Sequence, residues 1–407
     1  MKGIKRKILF GASNVALVVT ALTFATRGGF IAPWMEEFNL TATQVGWIVG
    51  TAFWGFTLAM VVLGPLVDLL GIGRVLVIAF LGHVVGLVMT IFATGFWTLF
   101  FSTMLIGIAN GSVEAACNPL ITAIYPNDKT TKLNLFHMWF PAGIVFGGLL
   151  VYFFERIGWG WRIQTAVMLL PTLAYGVMFL GQKFPKTERV TSGASYKEML
   201  KATVSPLFLF MAFFMMFTAA TEQGTMQWIT VLLNHSVDSL FSKGVGSILI
   251  LVWISAVMAL ARLVAGPVVH KLSGIGVLLF SAIVSGVGLY LMSISSGIIL
   301  FAAATVFAIG VAYFWPNMLG VVAEKVPTSG ALGLALIGGF GFLGGSIAQP
   351  AVGRIYELQL SKLGNELDAG AMTLKYVIIL TVILSLAFLY LFLKYRNEAK
   401  SKNHENL

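Results

Sequence analysis

Gly64-Pro-Leu-Val-Asp68-Leu-Leu-Gly71-Ile-Gly73-Arg74-Val-Leu follows the second long apolar run of the chain and returns half a chain later as Gly266-Pro-Val-Val-His270-Lys-Leu-Ser-Gly274-Ile-Gly276-Val-Leu. Each copy joins two apolar runs, so the repeat divides the 407 residues into two halves of like topology. The surrounding composition says what the halves are made of. The chain is 58% hydrophobic and 10% charged, with a mean hydropathy of +0.91. Soluble domains carry about a quarter charged residues, so this balance excludes them. Runs long enough to cross a membrane as helix are expected at about 8–34, 43–70, 73–95, 97–125, 131–155, 161–181, 206–234, 243–272, 274–295, 297–323, 329–357 and 371–395. Barrel strands would read as short alternating segments instead. The expected fold is therefore all-α and membrane-integral, as two pseudo-symmetric six-helix bundles: residues 1–181, a linker at 182–205, and residues 206–407.

Charge sets the expected orientation. Most of the 26 Lys and Arg fall in the amino terminus (Lys2, Lys5, Arg6, Lys7), the linker (Lys183, Lys186, Arg189, Lys197, Lys201), the tail (Lys394, Arg396, Lys400, Lys402) and loops of the same side. Basic loops stay cytoplasmic, so both termini are expected there, in a bacterial inner membrane. The net charge of +10 is then topology and not a sign of nucleic-acid binding. Cys117 stands alone and excludes an intrachain disulfide.

The first copy of the repeat resembles the signature between helices 2 and 3 of the major facilitator superfamily, on Gly64, Asp68 and Gly71. The basic pair of that signature is replaced by Ile72 and Gly73, leaving Arg74. An aspartate at a helix end can hold a cationic partner in one conformation and release it in another. Gly64, Asp68, Gly71 and Arg74 are thus read as a conformational gate, with Arg262 resembling the arginine that many members carry before the second copy.

A carboxylate inside the fourth run narrows the reading. In Gly107-Ile-Ala-Asn110-Gly-Ser-Val-Glu114-Ala-Ala-Cys-Asn118-Pro119, three polar residues recur every four positions and share a helix face. A charged side chain at that depth costs about 2.5–3.5 kcal/mol even on lenient scales, so it faces protein or water and marks function. This stretch, with Leu133-Asn134-Leu-Phe-His137, resembles helices 4 and 5 of the fucose and glucose/galactose permease group. The resemblance implies a sugar-binding or proton-coupling role for Glu114, with Asn134 and His137 beside it. Helix 1 departs from that group: Gly29 stands where its carboxylate would be, and Arg27 lies two residues earlier. Arg27 could take an anionic substrate, pair with Glu114, or snorkel to the surface.

In the second half, Glu222, Gln223, Gln227 and Trp228 suit a hydroxyl-rich ligand, with amides for hydrogen bonds and a flat ring for stacking; Trp139 and Trp315 are alternative rings. Tyr313 and Asn317 flank Pro316, which loosens helix 10. His83 has no second histidine or carboxylate at metal-ligand spacing. No phosphate-cradling loop and no nucleophile–base arrangement is present, so neither ATP-driven transport nor an enzyme is expected. The expected function is secondary active transport of a small polar organic solute, a sugar or sugar derivative, by alternating access. Protons or sodium are the candidate coupling ions, no cofactor or metal is needed, and a monomer in the lipid bilayer is expected. The alternatives are an organic-anion transporter using Arg27, multidrug efflux and a non-transporting membrane sensor.

Overall fold

The computed structural model describes residues 4–126, 132, 135–187, 195–237, 240–241, 246–263 and 265–405. Among the described residues twelve helices cross the molecule: α1 (Arg6–Phe38), α2 (Ala42–Leu70), α3 (Ile72–Ile91), α4 (Phe96–Ile124), α5 (Leu135–Arg156), α6 (Trp161–Phe179), α7 (Pro206–Leu232), α8 (Ser247–Leu263), α9 (Leu272–Ile294), α10 (Gly297–Lys325, in two pieces), α11 (Gly330–Leu363) and α12 (Glu366–Glu405). Among the described residues eleven are long and apolar enough to span a membrane, and the region of α8 is apolar but shorter. The protein is a multi-pass membrane protein. Its apolar side chains point both inward and outward, because lipid leaves no reason to hide them.

Turn chemistry sets the helix ends. Thr41 and Gln44 form a reciprocal capping box at the start of α2. Gly71, with φ +86°, both ends α2 and begins α3, a conformation that explains the glycine in the repeated motif. Prolines account for the interruptions within spans. Pro316 cannot donate to the carbonyl of Ala312, and α10 breaks there into Gly297–Ala312 and Phe314–Lys325. The break falls at Tyr313, where the proline was expected to loosen the helix.

Within the first bundle α4 lies backbone to backbone against α2, because Gly107 presses on Ala52 where a side chain would collide. Gly143 and Gly147 of α5 face Ala21 and Ala25 of α1, the close approach expected of small residues four apart. A short helix, Tyr196–Ala202, belongs to the linker.

Candidate functional site

The two bundles are joined mainly at the face opposite the termini. There Thr43 of α2 donates to Glu357 of α11 at 2.6 Å, Gln227 of α7 donates to the Phe24 carbonyl of α1 at 3.1 Å, and Thr230 donates to the Gly28 carbonyl at 2.6 Å. Gly148 of α5 packs against Val252 of α8. Closer to the termini, a layer of rings closes the junction. Phe342 of α11 stacks on Phe56 of α2 at 3.7 Å and meets Phe24 of α1 and Trp315 of α10. Phe53 and Phe140 pack on Phe24 from α2 and α5. Below this layer α2 and α11 still meet, Thr57 donating to the Gly339 carbonyl at 3.2 Å and Val61 lying against Gly339, whereas a side chain added at Gly64 or Gly320 would touch nothing. The bundles are thus bonded to each other on the face away from the termini, and on the other side open space adjoins Gly64 and Gly320.

Three predicted residues come together in the open part. Asn118 donates to Glu114 Oε2 at 2.9 Å, and His137 Nε2 lies 3.0 Å from Asn118 Oδ1. His137 Nδ1 is 3.9 Å from Glu114 Oε1, and the imidazole is 46% exposed against 13% for the carboxylate. Asn118 spends its amide on Glu114, so its oxygen must accept, and His137 therefore carries a proton on Nε2. Glu114 Oε1 is left facing the gap, able to accept from a hydroxyl or to take a proton. Asn134 lies outside the described residues.

Asn110 does not join this set, although it lies one turn from Glu114. It is fully buried and donates to Thr23 of α1 at 3.0 Å while its oxygen meets His83 Nε2 of α3 at 2.7 Å. His83 Nδ1 accepts from Tyr175 of α6 at 2.8 Å. Four helices are thereby threaded on one directed chain of hydrogen bonds, a structural role in place of the expected ligand contact. His83 was thus missed. Its partners lie 27 and 92 residues away in sequence, so no local pattern could reveal them.

Arg27 is 3% exposed, its guanidinium sits 4.9 Å from the Phe24 ring, and neither terminal nitrogen has a hydrogen-bond partner. Snorkelling is excluded, since the charged end is sealed. Pairing with Glu114 is absent as well: Glu114 turns to Asn118 and His137 on the other side of the aromatic layer.

In the second bundle Glu222 is buried and accepts from Gln223 at 3.1 Å, with Arg262 Nη2 at 4.0 Å. Arg262 Nε donates to the Ala312 carbonyl at 3.0 Å, the group that Pro316 leaves without its helical donor. Arg262 lies eleven residues before the reversal at Ser273, about 16 Å along a helix, where it meets Glu222 and the Ala312 carbonyl. Tyr313 donates to the Ala261 carbonyl, and Asn317 donates to the Tyr313 carbonyl, so both brace the broken helix. Trp228 was expected to stack on a ligand, yet it is fully buried with Gly353 of α11 against its ring. It follows Gln227 by one position, which turns it about 100° away. Trp315, half-buried at the edge of the aromatic layer, is the ring that reaches the open side. Gln227 leaves its Oε1 unpaired in the closed junction.

Asp68 accepts from Tyr196 at 3.0 Å and from Thr187, both in the linker segment. Arg74 donates to the Leu70 carbonyl at 3.3 Å. Gly64 and Gly71 stand free of neighbours that would crowd a side chain.

Comparison with known proteins agrees with this architecture. Residues 14–348 match the family model of the Major Facilitator Superfamily. A gentisate transporter of Corynebacterium glutamicum is 22% identical over 87% of this chain and 82% of its own. A D-xylose transporter of Levilactobacillus brevis is 29% identical over 36% of this chain, a match spanning about a third (32%) of that relative. The crystal structure of the nucleoside transporter NupG superimposes with a TM-score of 0.76 at 16% identity, covering 96% of this chain and 99% of that one. The chain belongs to the Major Facilitator Superfamily and is a transporter, not an enzyme.

Proposed function

We propose that this transporter carries a small hydroxylated organic solute, a sugar or sugar derivative, together with a proton. The solute is held in the gap between the bundles, beneath the aromatic layer. The basic linker and termini support reading the terminus side as cytoplasmic, so that the gap is entered from the cytoplasm. The observation that carries the reading is the Glu114–Asn118–His137 set: a carboxylate with one oxygen bonded and the other free, in a partly open position at membrane depth. Hydroxyls have matching donors and acceptors there, and the Trp315 edge supplies an apolar face. The D-xylose transporter and the gentisate transporter among its relatives carry small organic solutes, which supports this reading.

Glu114→Gln in proteoliposomes tests this reading. It should abolish accumulation against a gradient while leaving equilibrative exchange, because the amide keeps a hydrogen-bond acceptor but cannot carry the proton. Unchanged concentrative uptake would remove Glu114 from coupling.

A further inference from the structure

Two guanidinium groups lie at membrane depth, and they differ in access. Arg27 is sealed above the aromatic layer, whereas the Arg262 side chain is 31% exposed. Arg262 touches α7 through Glu222 and α10 through Ala312, which places it among three helices of the second bundle, and on the reading of the gap as the solute site its exposed part faces that gap. The bond from Nε to the Ala312 carbonyl holds one edge of the group against α10. The Nη edge is left for another partner. Within the protein that edge meets Glu222 Oε1 at 4.0 Å, beyond hydrogen-bonding range, and the same oxygen is already bonded to Gln223. A pre-oriented guanidinium thus faces the gap with a neighbouring carboxylate that does not bond it.

We propose that Arg262 receives a carboxylate of the transported solute in exchange for Glu222, so that the solute is a hydroxylated organic acid. This rests on the reading of the gap as the solute site. A planar fork suits a carboxylate through two parallel bonds, a geometry that neutral hydroxyls cannot use fully. The exchange also has a consequence for charge. Glu222 is 5% exposed and, among the described residues, Arg262 is the cation recorded beside it, so when Arg262 turns to the solute a proton on Glu222 keeps the charge of the pair balanced. Among the described residues, the charged groups at membrane depth on helices packed along α7 are Arg27 of α1 and Arg262 of α8. The other described titratable groups on those helices are Tyr313 of α10, Tyr356 of α11, and Tyr376 and Tyr390 of α12 within the spans; Glu36, Glu37, Arg354, Glu357, Lys362, Glu366, Asp368 and Lys375 stand toward the far mouth, and Arg6, Lys7, Glu324, Lys325, Lys394 and Tyr395 toward the near one. One negative charge enters on the solute and one proton on Glu222, and the net charge of the site is unchanged.

The test is calorimetry on the purified full chain with gluconate, galacturonate and 2,5-dihydroxybenzoate, beside glucose and xylose. Each is titrated in two buffers of different ionisation enthalpy, so that proton uptake is counted. The proposal expects an acid to bind with uptake of a proton. Arg262→Gln should weaken that binding by about 10- to 100-fold, and Arg262→Lys should recover part of it. Arg262→Gln combined with Glu222→Gln keeps the pair neutral and guards against misfolding; it should lose the acid equally. Glu222→Gln alone should bind the acid and take up one proton fewer. Binding of a neutral sugar but of no acid would overturn the inference and leave the gap as the solute site. Acid binding by the double variant equal to the parent's would overturn it too, as would equal proton uptake by parent and Glu222→Gln. Failure of every compound to bind would overturn both readings.

Discussion

Replacing Arg27 by Met should hold the transporter in the conformation seen here. Arg27 is buried without a hydrogen-bond partner in the closed junction, and opening that junction would return its guanidinium to water. A buried ion costs several kcal/mol after relaxation. The Phe24 ring, 4.9 Å away, returns about 2 kcal/mol as a desolvated cation–π contact. The balance is about 1–3 kcal/mol against closure, which methionine, of similar length and uncharged, would remove. At 1.4 kcal/mol per factor of ten, the open state at that face should become about 5- to 150-fold rarer. Ala42, 3% exposed beside α11 at the closed mouth, reports the opening. Ala42→Cys in a Cys117→Ala background should label with a maleimide slower by that factor in the Arg27→Met protein, and uptake should fall in step. Labelling within twofold of the parent, or faster, would show that closure does not strain Arg27.

Two further outcomes follow from packing. His83→Phe leaves Asn110 Oδ1 and the Tyr175 hydroxyl unpaired in a dry interior and should cost about 2–4 kcal/mol of stability, with Tyr175→Phe recovering part of it; melting curves of the single and double variants measure the coupling, and additive losses would deny the network. Gly107→Ala should abolish folded yield because it forces α4 from α2, whereas Gly64→Ala should leave yield intact; equal yields by size-exclusion chromatography would contradict the packing.

Much of the fold was legible because its determinants are local. Span length follows from apolar runs, the half-chain repeat from like sequence, and the break in α10 from Pro316. The site was legible only where a single helix presents it. Glu114 and Asn118 are neighbours on α4, but four-residue spacing advances about 40° per step, so Asn110 has already turned from the gap into the bundle. Which way a residue at the edge of that arc points depends on what waits there, and His83 and Tyr175 come from other helices. The partners of Arg262 were hidden for a related reason: Glu222 comes from another helix, and the Ala312 carbonyl is freed only by the break in the folded α10.

The layer formed by Phe24, Phe53, Phe56, Phe140, Phe342 and Trp315 is also an electrical insulator. Apolar rings in contact leave no continuous file of water, and hydrophobic constrictions block ions by dewetting. Where water reaches this layer from one side only, most of the membrane voltage falls across it, and on the proposed function a solute and proton entering from that side move through almost none of the field. The energy of the membrane potential, about 2.3 kcal/mol per charge per 100 mV, is felt only when the rings separate and the seal is rebuilt on the other side. Voltage therefore acts on the rocking of the bundles and scarcely on binding.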